Sequence, residues 1–574
     1  MKLDARAALT CHEYFHKIHA PLTFPGLTPD PESAVAEEFK EQGFKHEARV
    51  ITTLQAAHPS MLIIDPNLPA EEAQFDTAAA LVNPALTLIA GADIGEITEA
   101  ELGAKLGQQF TNIPRASRPD LLLKVGTSAN GIPQWAPIDI KSHGASKENK
   151  SNQIFVTPIT TLEIDATSPQ EGKLQSSDLE QLAHYIRHLQ ALGLASDELW
   201  AGIIGRDIET AVLMQMGAAI NGRGKSATSV LSHHDAAFAI AMDVVLRSRE
   251  ENNNPSAATG IIPQNWSDAT FGCPGCPFKS TCLQAMKDFD NGNGHITLLA
   301  TITPEVAANK LPGITSIRQL RELTPQNDFE IKAQLRAQVW KNKRAQLLDP
   351  STPLDLPEFD IEIDIDLENS MEALRELAPD ETPEDDRLYL YGFGVHDRTI
   401  NPDWHSATIE TISDYSNTEE GEYSVMLGMW QRLHEEIARA ESSGKSIGIF
   451  HYSFHEETWW DNFAKKHAGK PGVPTLAEVD TFIATYMVDL IDYTRKIALP
   501  TMGYSIKQVA PWAGFEWTVK DPGGAGSLLK YRDAINPALD QSTRDAAIAW
   551  LDSYNRDDVR ATFAVRNYIR TLNL

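Results

Sequence analysis

The segment FDIEIDIDLE, residues 359–368, alternates apolar and acidic side chains with a period of two. Only an extended strand places such residues on opposite faces. Ile361, Ile363, Ile365 and Leu367 make one face, fit for a core, while Asp360, Glu362, Asp364, Asp366 and Glu368 make the other. Like charges in a row repel unless water or cations intervene. The strand therefore either lies at a sheet edge with its acidic face in solvent, or it carries metal ions. RLYLYGFGVHD, which follows, is a natural antiparallel partner. The pattern belongs to a block from Asp355 to Asp386 with fourteen acidic residues, Arg375 inside it and Arg387 at its edge.

At 574 residues the chain exceeds one core of about 150 residues. Hydrophobic residues at 42% and charged residues at 22% mark a globular chain. No run of about 18 apolar residues occurs, so no membrane span is expected. The N-terminal MKLDARAALTCHEYFHK lacks the apolar stretch of a secretory signal, and a cytoplasmic location is expected. Fifty Lys and Arg against seventy-nine Asp and Glu give a net charge of -29. Bulk charge of that sign opposes phosphate binding, yet clustered carboxylates are also how nucleases hold Mg²⁺.

The cysteines are Cys11, Cys273, Cys276 and Cys282. Four are too few for a disulfide scaffold in a chain of this length. The last three form CPGCPFKSTC, a C-x2-C-x5-C whose Pro and Gly turn the backbone so that thiolates can converge. Four thiolates suit a structural Zn²⁺ or an iron–sulfur cluster, and spacing does not choose between them. Either would staple the N-terminus to residue 282.

Inside that staple, RPDLLLKVG is a short apolar strand with Asp120 at its start, and WAPIDIKSH is a second strand with Asp139 and Lys141 on one face. Two carboxylates and a lysine can bind Mg²⁺ or Mn²⁺, position a water and stabilise charge on a phosphate. EFKEQGFKHEARVITTLQ reads as a helix with His46 and Glu47 as further ligand candidates, the two left open. DLEQLAHYIRHLQALG reads as an amphipathic helix with Gln181 and Tyr185 one turn apart on one face. This order of motifs resembles the RecB-like branch of the PD-(D/E)XK nucleases, within its iron–sulfur subgroup. The resemblance covers about residues 1–285. It implies a restriction-endonuclease-like α/β domain, a [4Fe–4S] cluster on the four cysteines, and metal ligands at Asp120 and Asp139. It also implies Lys141 at the scissile phosphate and DNA contact through Gln181 and Tyr185.

Residues 286–350 are expected to form a helical linker. GNGHITLLA reads as loop then strand, and KLPGITSIRQLRELTP as a helix–turn–helix resembling a helix-hairpin-helix element. IKAQLRAQVWKNKRAQLL reads as a basic amphipathic helix, with a solvated face as its default role.

From residue 351 to 574 the acidic strand is followed by a strand and turn in SIGIFHYSFHEETWW, carrying Glu456. Asp489 comes next in FIATYMVDLIDYTRK, and Tyr554 and Asp558 lie four apart on a helix in WLDSYNRDDVRATFAVRNYIRTL. D-x-E on a first strand and Y-x3-D on a late helix are the outer motifs of DEDD exonucleases. YMVDL, GYSIKQVAPWAGF and YNRDDVRAT resemble the YprB-like branch of the RNase H-like fold, another α/β domain. That resemblance implies metal ligation by Asp366, Glu368 and Asp558, with Asp364 as the register alternative. Glu456 stands where the second motif normally has Asn-x-x-Phe-Asp, and Asp489 is either a ligand or structural. DPGGAGSLLKY lacks the Lys-Ser/Thr ending of a phosphate-binding loop, so a helicase motor is expected only as a separate protein. Together these readings predict a nuclease acting on DNA, with single-stranded ends as substrate, in repair, recombination or defence. The acidity and Glu456 leave open a nucleic-acid-binding or assembly subunit with one or both domains inactive.

Overall fold

In the computed structural model the chain divides into two units, Met1–Ser280 and Thr281–Leu574. The structure describes residues 3–24, 26–32, 34–97, 115–221, 228–254, 276–370, 386–400, 408–520 and 523–572. Cys273 and most of the acidic block beyond the alternating strand lie outside the described residues.

The first unit is built on one mixed sheet. Its strands are β1 (Leu62–Ile63), β2 (Leu88–Ala90), β3 (Leu121–Thr127), β4 (Pro133–Ile140), β5 (Lys147–Pro158), β6 (Gln170–Lys173), β7 (Trp200–Ile204) and β8 (Thr210–Gln215), in the order β1-β2-β3-β4-β7-β8-β5-β6. The central strand β4 runs antiparallel to β3 and parallel to β7. Both faces of the sheet are covered, which is why β4 reads as a nearly continuous apolar run. The helices that matter here are α1 (His12–His19), α2 (Ala34–Ala57), α3 (Ser176–Leu192) and α4 (Val230–Asn253). Val50 and Leu54 of α2 close one core with Leu121, Ile138 and Leu213. Leu179, Leu182, Ala183 and Ile186 of α3, at helical spacing, close the other with Ile203 and Val212. Gly193, at φ +71°, ends α3 in the left-handed conformation.

The second unit holds β9 (Ile361–Asn369), β10 (Leu388–Asp397), β11 (Thr408–Ser413), β12 (Ile447–His451) and β13 (Met487–Asp489), in the order β11-β10-β9-β12-β13. The alternating segment is β9, and it is the middle strand, antiparallel to β10 and parallel to β12. A solvated edge position for its acidic face is thereby overturned. Its apolar face packs on Val425, Met429 and Leu433 of α5 (Glu419–Ser442) and on Trp459, Trp460 and Phe463 of α6 (His455–Lys466). Two later helices follow, α7 (Gly524–Ile535) and α8 (Gln541–Thr571).

Residues 286–350 fall within the second unit by this division. Pro304–Lys310 and Ile317–Glu322 are short helices joined through Leu311-Pro-Gly, with Gly313 at φ +81°. The strand expected in GNGHITLLA is instead a 3-10 turn at Ile296–Leu298, because the His295 side chain accepts from the Thr297 amide and folds the chain back. Gln346–Leu347 pairs with Ile497–Ala498, tying this segment to the rest of the unit. No helix among the described residues is long and apolar enough to cross a membrane.

Candidate functional site

α8 lies over the acidic face of β9, and their geometries match. Every second residue of a strand advances about 6.6 Å, and every fourth residue of a helix about 6 Å. Arg566 and Arg570 therefore meet Glu362 and Asp364 while Asp558, two turns earlier, meets Asp366 and Glu368. Arg566 grips Asp364 bidentately, Nε to Oδ1 at 3.0 Å and a terminal nitrogen to Oδ2 at 2.6 Å, and also contacts Glu362. Arg570 donates to Glu362 at 2.5 Å, and Arg398 lies 3.5 Å from the same carboxylate. Asp364 is thus an ion-pair partner, buried at 0% exposure.

Among the described residues, no arginine pairs with Asp366, Glu368 or Asp558 in this way. Their ligand oxygens all lie within 4.8 Å of one another, the one such group of three metal-ligating side chains among the described residues. Asn555, buried one turn before Asp558, donates from Nδ2 to Asp366 Oδ2 at 2.8 Å. Gly392 on β10 permits this, because a Cβ there would collide with the Asn555 side chain. The Lys507 ammonium contacts Asp558 Oδ1, and Trp517 Nε1 donates to that same oxygen at 2.6 Å.

Burial, then the charges of Asp558 and Glu368, hold the Asp366 carboxyl well above the usual carboxylate range. Burial, then Asp558, push Glu368 up to about 8. Burial also raises Asp558, against the pull of Lys507 and the Trp517 hydrogen bond. Carboxyls so close cannot all ionise without a cation, and three hard oxygen donors suit Mg²⁺ or Mn²⁺. The residues present fit a divalent metal ion.

Glu456 begins α6 and is buried, close enough for its charge to raise Asp366 further. His451 Nδ1 lies 3.5 Å from Glu456 Oε2, and His451 Nε2 lies 3.4 Å from Glu457. Burial disfavours the His451 imidazolium, but Glu456 and Glu457 outweigh it and raise its pKa to about 10. Asp489 spends Oδ1 on the amides of Ser453 and Ile491, at 2.8 and 2.9 Å, capping the helix Leu490–Thr494.

The first unit brings a different set together. Asp139 at the end of β4 is fully buried, and its Oδ2 lies 2.9 Å from Lys141 Nζ, as alternation on one strand face requires. Asp139 Oδ1 has no hydrogen-bond partner among the described residues. Asp120 Oδ2 accepts the Ile140 amide at 2.7 Å, which holds it beside β4. Burial and the charge of Asp139 push Asp120 up to about 8. Burial and Asp139 also raise Glu47, and Glu47 in turn acts on Asp120, so Glu47 belongs electrostatically to this cluster. Its neighbour His46 is buried on α2. Burial works against the Lys141 ammonium, but Asp139 and Asp120 outweigh it and raise its pKa. The cluster fits a cation at Asp139, whose unpartnered buried oxygen is otherwise costly.

Gln181 and Tyr185 of α3 complete this cluster from behind. Lys141 Nζ donates to Gln181 Oε1 at 3.0 Å, Gln181 Nε2 donates to the Tyr185 hydroxyl at 2.8 Å, and that hydroxyl donates to the Arg118 carbonyl at 3.2 Å. Tyr185 is 3% exposed, so its ring is packed inside and supports Gln181.

Of the cysteines, Cys11 precedes α1 and Cys276 lies in the same unit. Burial raises the Cys276 thiol and nearby Cys11 adds to the effect, while the Phe278 amide donates to Cys276 Sγ at 3.5 Å. Cys282 is half-buried on the helix Lys279–Gly292.

Lys507, Trp517 and Asn555 carry no role in the sequence motifs. GYSIKQVAPWAGF holds Lys507, but nothing local marks a lysine that meets an aspartate from a helix far along the chain.

Residues 383–570 match the family model RNase_H_2, of the RNase H superfamily. Domains of this superfamily are typically phosphodiester-hydrolysing nucleases that use divalent metal. The match includes Glu456, Lys507 and Asp558 and begins after β9, so Asp366 and Glu368 come from a strand ahead of the matched residues. No curated protein and no solved structure matches the chain.

Proposed function

We propose that the chain is a metal-dependent nuclease with two hydrolytic centres, one in each unit, acting on DNA and preferring single-stranded ends. The observation that carries this reading is the division of the acidic face of β9. Glu362 and Asp364 pair with arginines, whereas Asp366 and Glu368 converge with Asp558 on a site that no arginine enters among the described residues. A bound Mg²⁺ or Mn²⁺ would polarise a phosphoryl oxygen and lower the pKa of an attacking water.

In the second unit Asp366, Glu368 and Asp558 supply the oxygen ligands, and Asn555 fixes the rotamer of Asp366. In the first unit Asp139 and Asp120 supply them, with Glu47 acting on both by its charge. Lys141, held between Asp139 and Gln181, presents its ammonium to the charge that builds on the phosphate. Cys11, Cys273, Cys276 and Cys282 are proposed to hold a [4Fe–4S] cluster. The nearness of Cys11 to Cys276, and the Phe278 amide donating to the Cys276 sulfur as amides do to cluster sulfurs, support a shared site. Iron and acid-labile sulfide in anaerobically purified protein test the cluster, and zinc in their place would overturn it.

The nuclease reading is tested with end-labelled single-stranded DNA and Mn²⁺, comparing wild type, Lys141→Ala, Asp558→Ala and the double variant. Cutting that falls in each single variant and vanishes in the double is expected. Cutting that persists in the double variant, or none by wild type on any DNA, would overturn the reading.

A further inference from the structure

Lys507 stands on the short helix Ile506–Val509, and its ammonium enters the acid cluster of the second unit. The ammonium contacts Asp558 Oδ1 and lies 4.4 Å from the centre of the Trp517 ring and 4.3 Å from that of Tyr554. Two aromatic faces and a carboxylate thus hold one fixed positive charge in place. Asp366 and Glu368 both feel that charge.

Glu456 also acts on Asp366 by its charge. Asp489 Oδ1 accepts two backbone amides, and Glu456 faces His451. Asp366, Glu368 and Asp558, whose oxygens converge, set three carboxylates against the Lys507 ammonium, a net charge that one divalent cation neutralises. A pair of divalent ions would leave these four groups with a net positive charge.

We infer that Lys507 takes the place of a second metal: the centre binds a single divalent cation through Asp366, Glu368 and Asp558, with the Lys507 ammonium as the permanent second positive charge facing the scissile phosphate. This rests on the reading of that cluster as a metal centre, and its test separates the two.

Mn²⁺ alone is counted by equilibrium dialysis on the full chain carrying Asp139→Asn, which removes a ligand of the first unit's cluster. One Mn²⁺ is expected that is lost when Asp558→Asn is added. Lys507→Met is expected to admit a second Mn²⁺, seen both in the count and as a spin-coupled Mn–Mn signal in electron paramagnetic resonance. Lys507→Arg, which keeps the charge, is expected to hold the count at one. Two Asp558-dependent ions with Lys507 intact would overturn the inference while sustaining the metal centre. A count that stays at one in folded Lys507→Met protein would also overturn it. No Asp558-dependent Mn²⁺ at all would overturn the metal centre itself, and the inference with it.

Discussion

Each unit buries a cluster of carboxyls beside a lysine, but the two clusters are assembled differently. In the first, Asp139 lies near the end of β4 and Lys141 directly follows the strand, so local chain geometry sets their 2.9 Å contact. In the second, acids from β9 and α8 meet a lysine from a separate short helix, and their alignment depends on how helix and strand pack. The central pair of the first is local, though Asp120, Glu47 and Gln181 join it from other elements. The second inherits its geometry from the arginine pairs further along α8, so folding and site formation are one event there.

The variant Arg566→Met is the strongest way to break this contrast. It leaves Glu362 and Asp364 buried with less counter-charge, and a loss of about 3–5 kcal/mol is expected, read by urea unfolding. Mn²⁺ binding at Asp558 should fall with it, while cutting by the first unit persists. If Mn²⁺ binding is unchanged, the coupling of the site to the arginine pairs is wrong.

Next in size is Lys141→Ala in an Asp558→Ala background. The residual cutting should fall by about 10²–10³-fold in protein that is still folded by circular dichroism, measured by single-turnover kinetics.

A sharper comparison sets two amides side by side. Asn555→Ala should weaken Mn²⁺ affinity about 10–100-fold, because Asn555 orients a ligand. Gln181→Ala should leave Mn²⁺ affinity alone and lower the rate of the first centre, because Gln181 holds the lysine. Calorimetric Mn²⁺ titration beside rate measurements separates them.

A further contrast is a pH dependence in metal-free protein. Glu368 rises to about 8 in the fold from an ordinary value near 4, so between those values the folded state binds more protons than the unfolded. Its stabilisation is complete below about pH 4 and is lost as pH rises toward 8, at up to about 1.4 kcal/mol per pH unit per proton. His451, raised to about 10, adds loss of the same sign above about pH 6.5. In the first unit Asp120, raised to about 8, has this sign too. There, however, His188 is lowered to about 3 by burial, and buried His184 and His234 are lowered as well. Those histidines lose stability as pH falls below about 6.5, opposing Asp120. Hydrogen exchange across pH 5–8 should show the second unit weakening more steeply with rising pH, and Mn²⁺ should flatten its slope. Equal slopes would remove this part of the contrast.

The same difference decides what could be read from the residues alone. Asp139, Lys141, Gln181 and Tyr185 were legible because strand alternation and helical spacing place them within one element each. The alternating β9 segment announced a strand and its two faces. It did not announce which acids receive arginines, since Arg566 and Arg570 lie about two hundred residues away and pairing them needs the packing of α8. Asp364 and Asp366 look alike in sequence, and only the helix above distinguishes them. Lys507 was illegible for the same reason. The turn at Ile296–Leu298 was misread because an apolar run flanked by loop residues suits a strand until a side-chain cap bends it.

The match in pitch between α8 and β9 also makes the helix an indexing rod. The arginine teeth near its end fix the angle at which the whole rod is seated, and Asp558 is carried to its station by that angle. Inserting one residue between Val559 and Val565 would turn the two ends about 100° apart. The rod could then engage its arginines or deliver Asp558, but not both. The spacing from Asp558 to Arg566 is thus itself a part of the site.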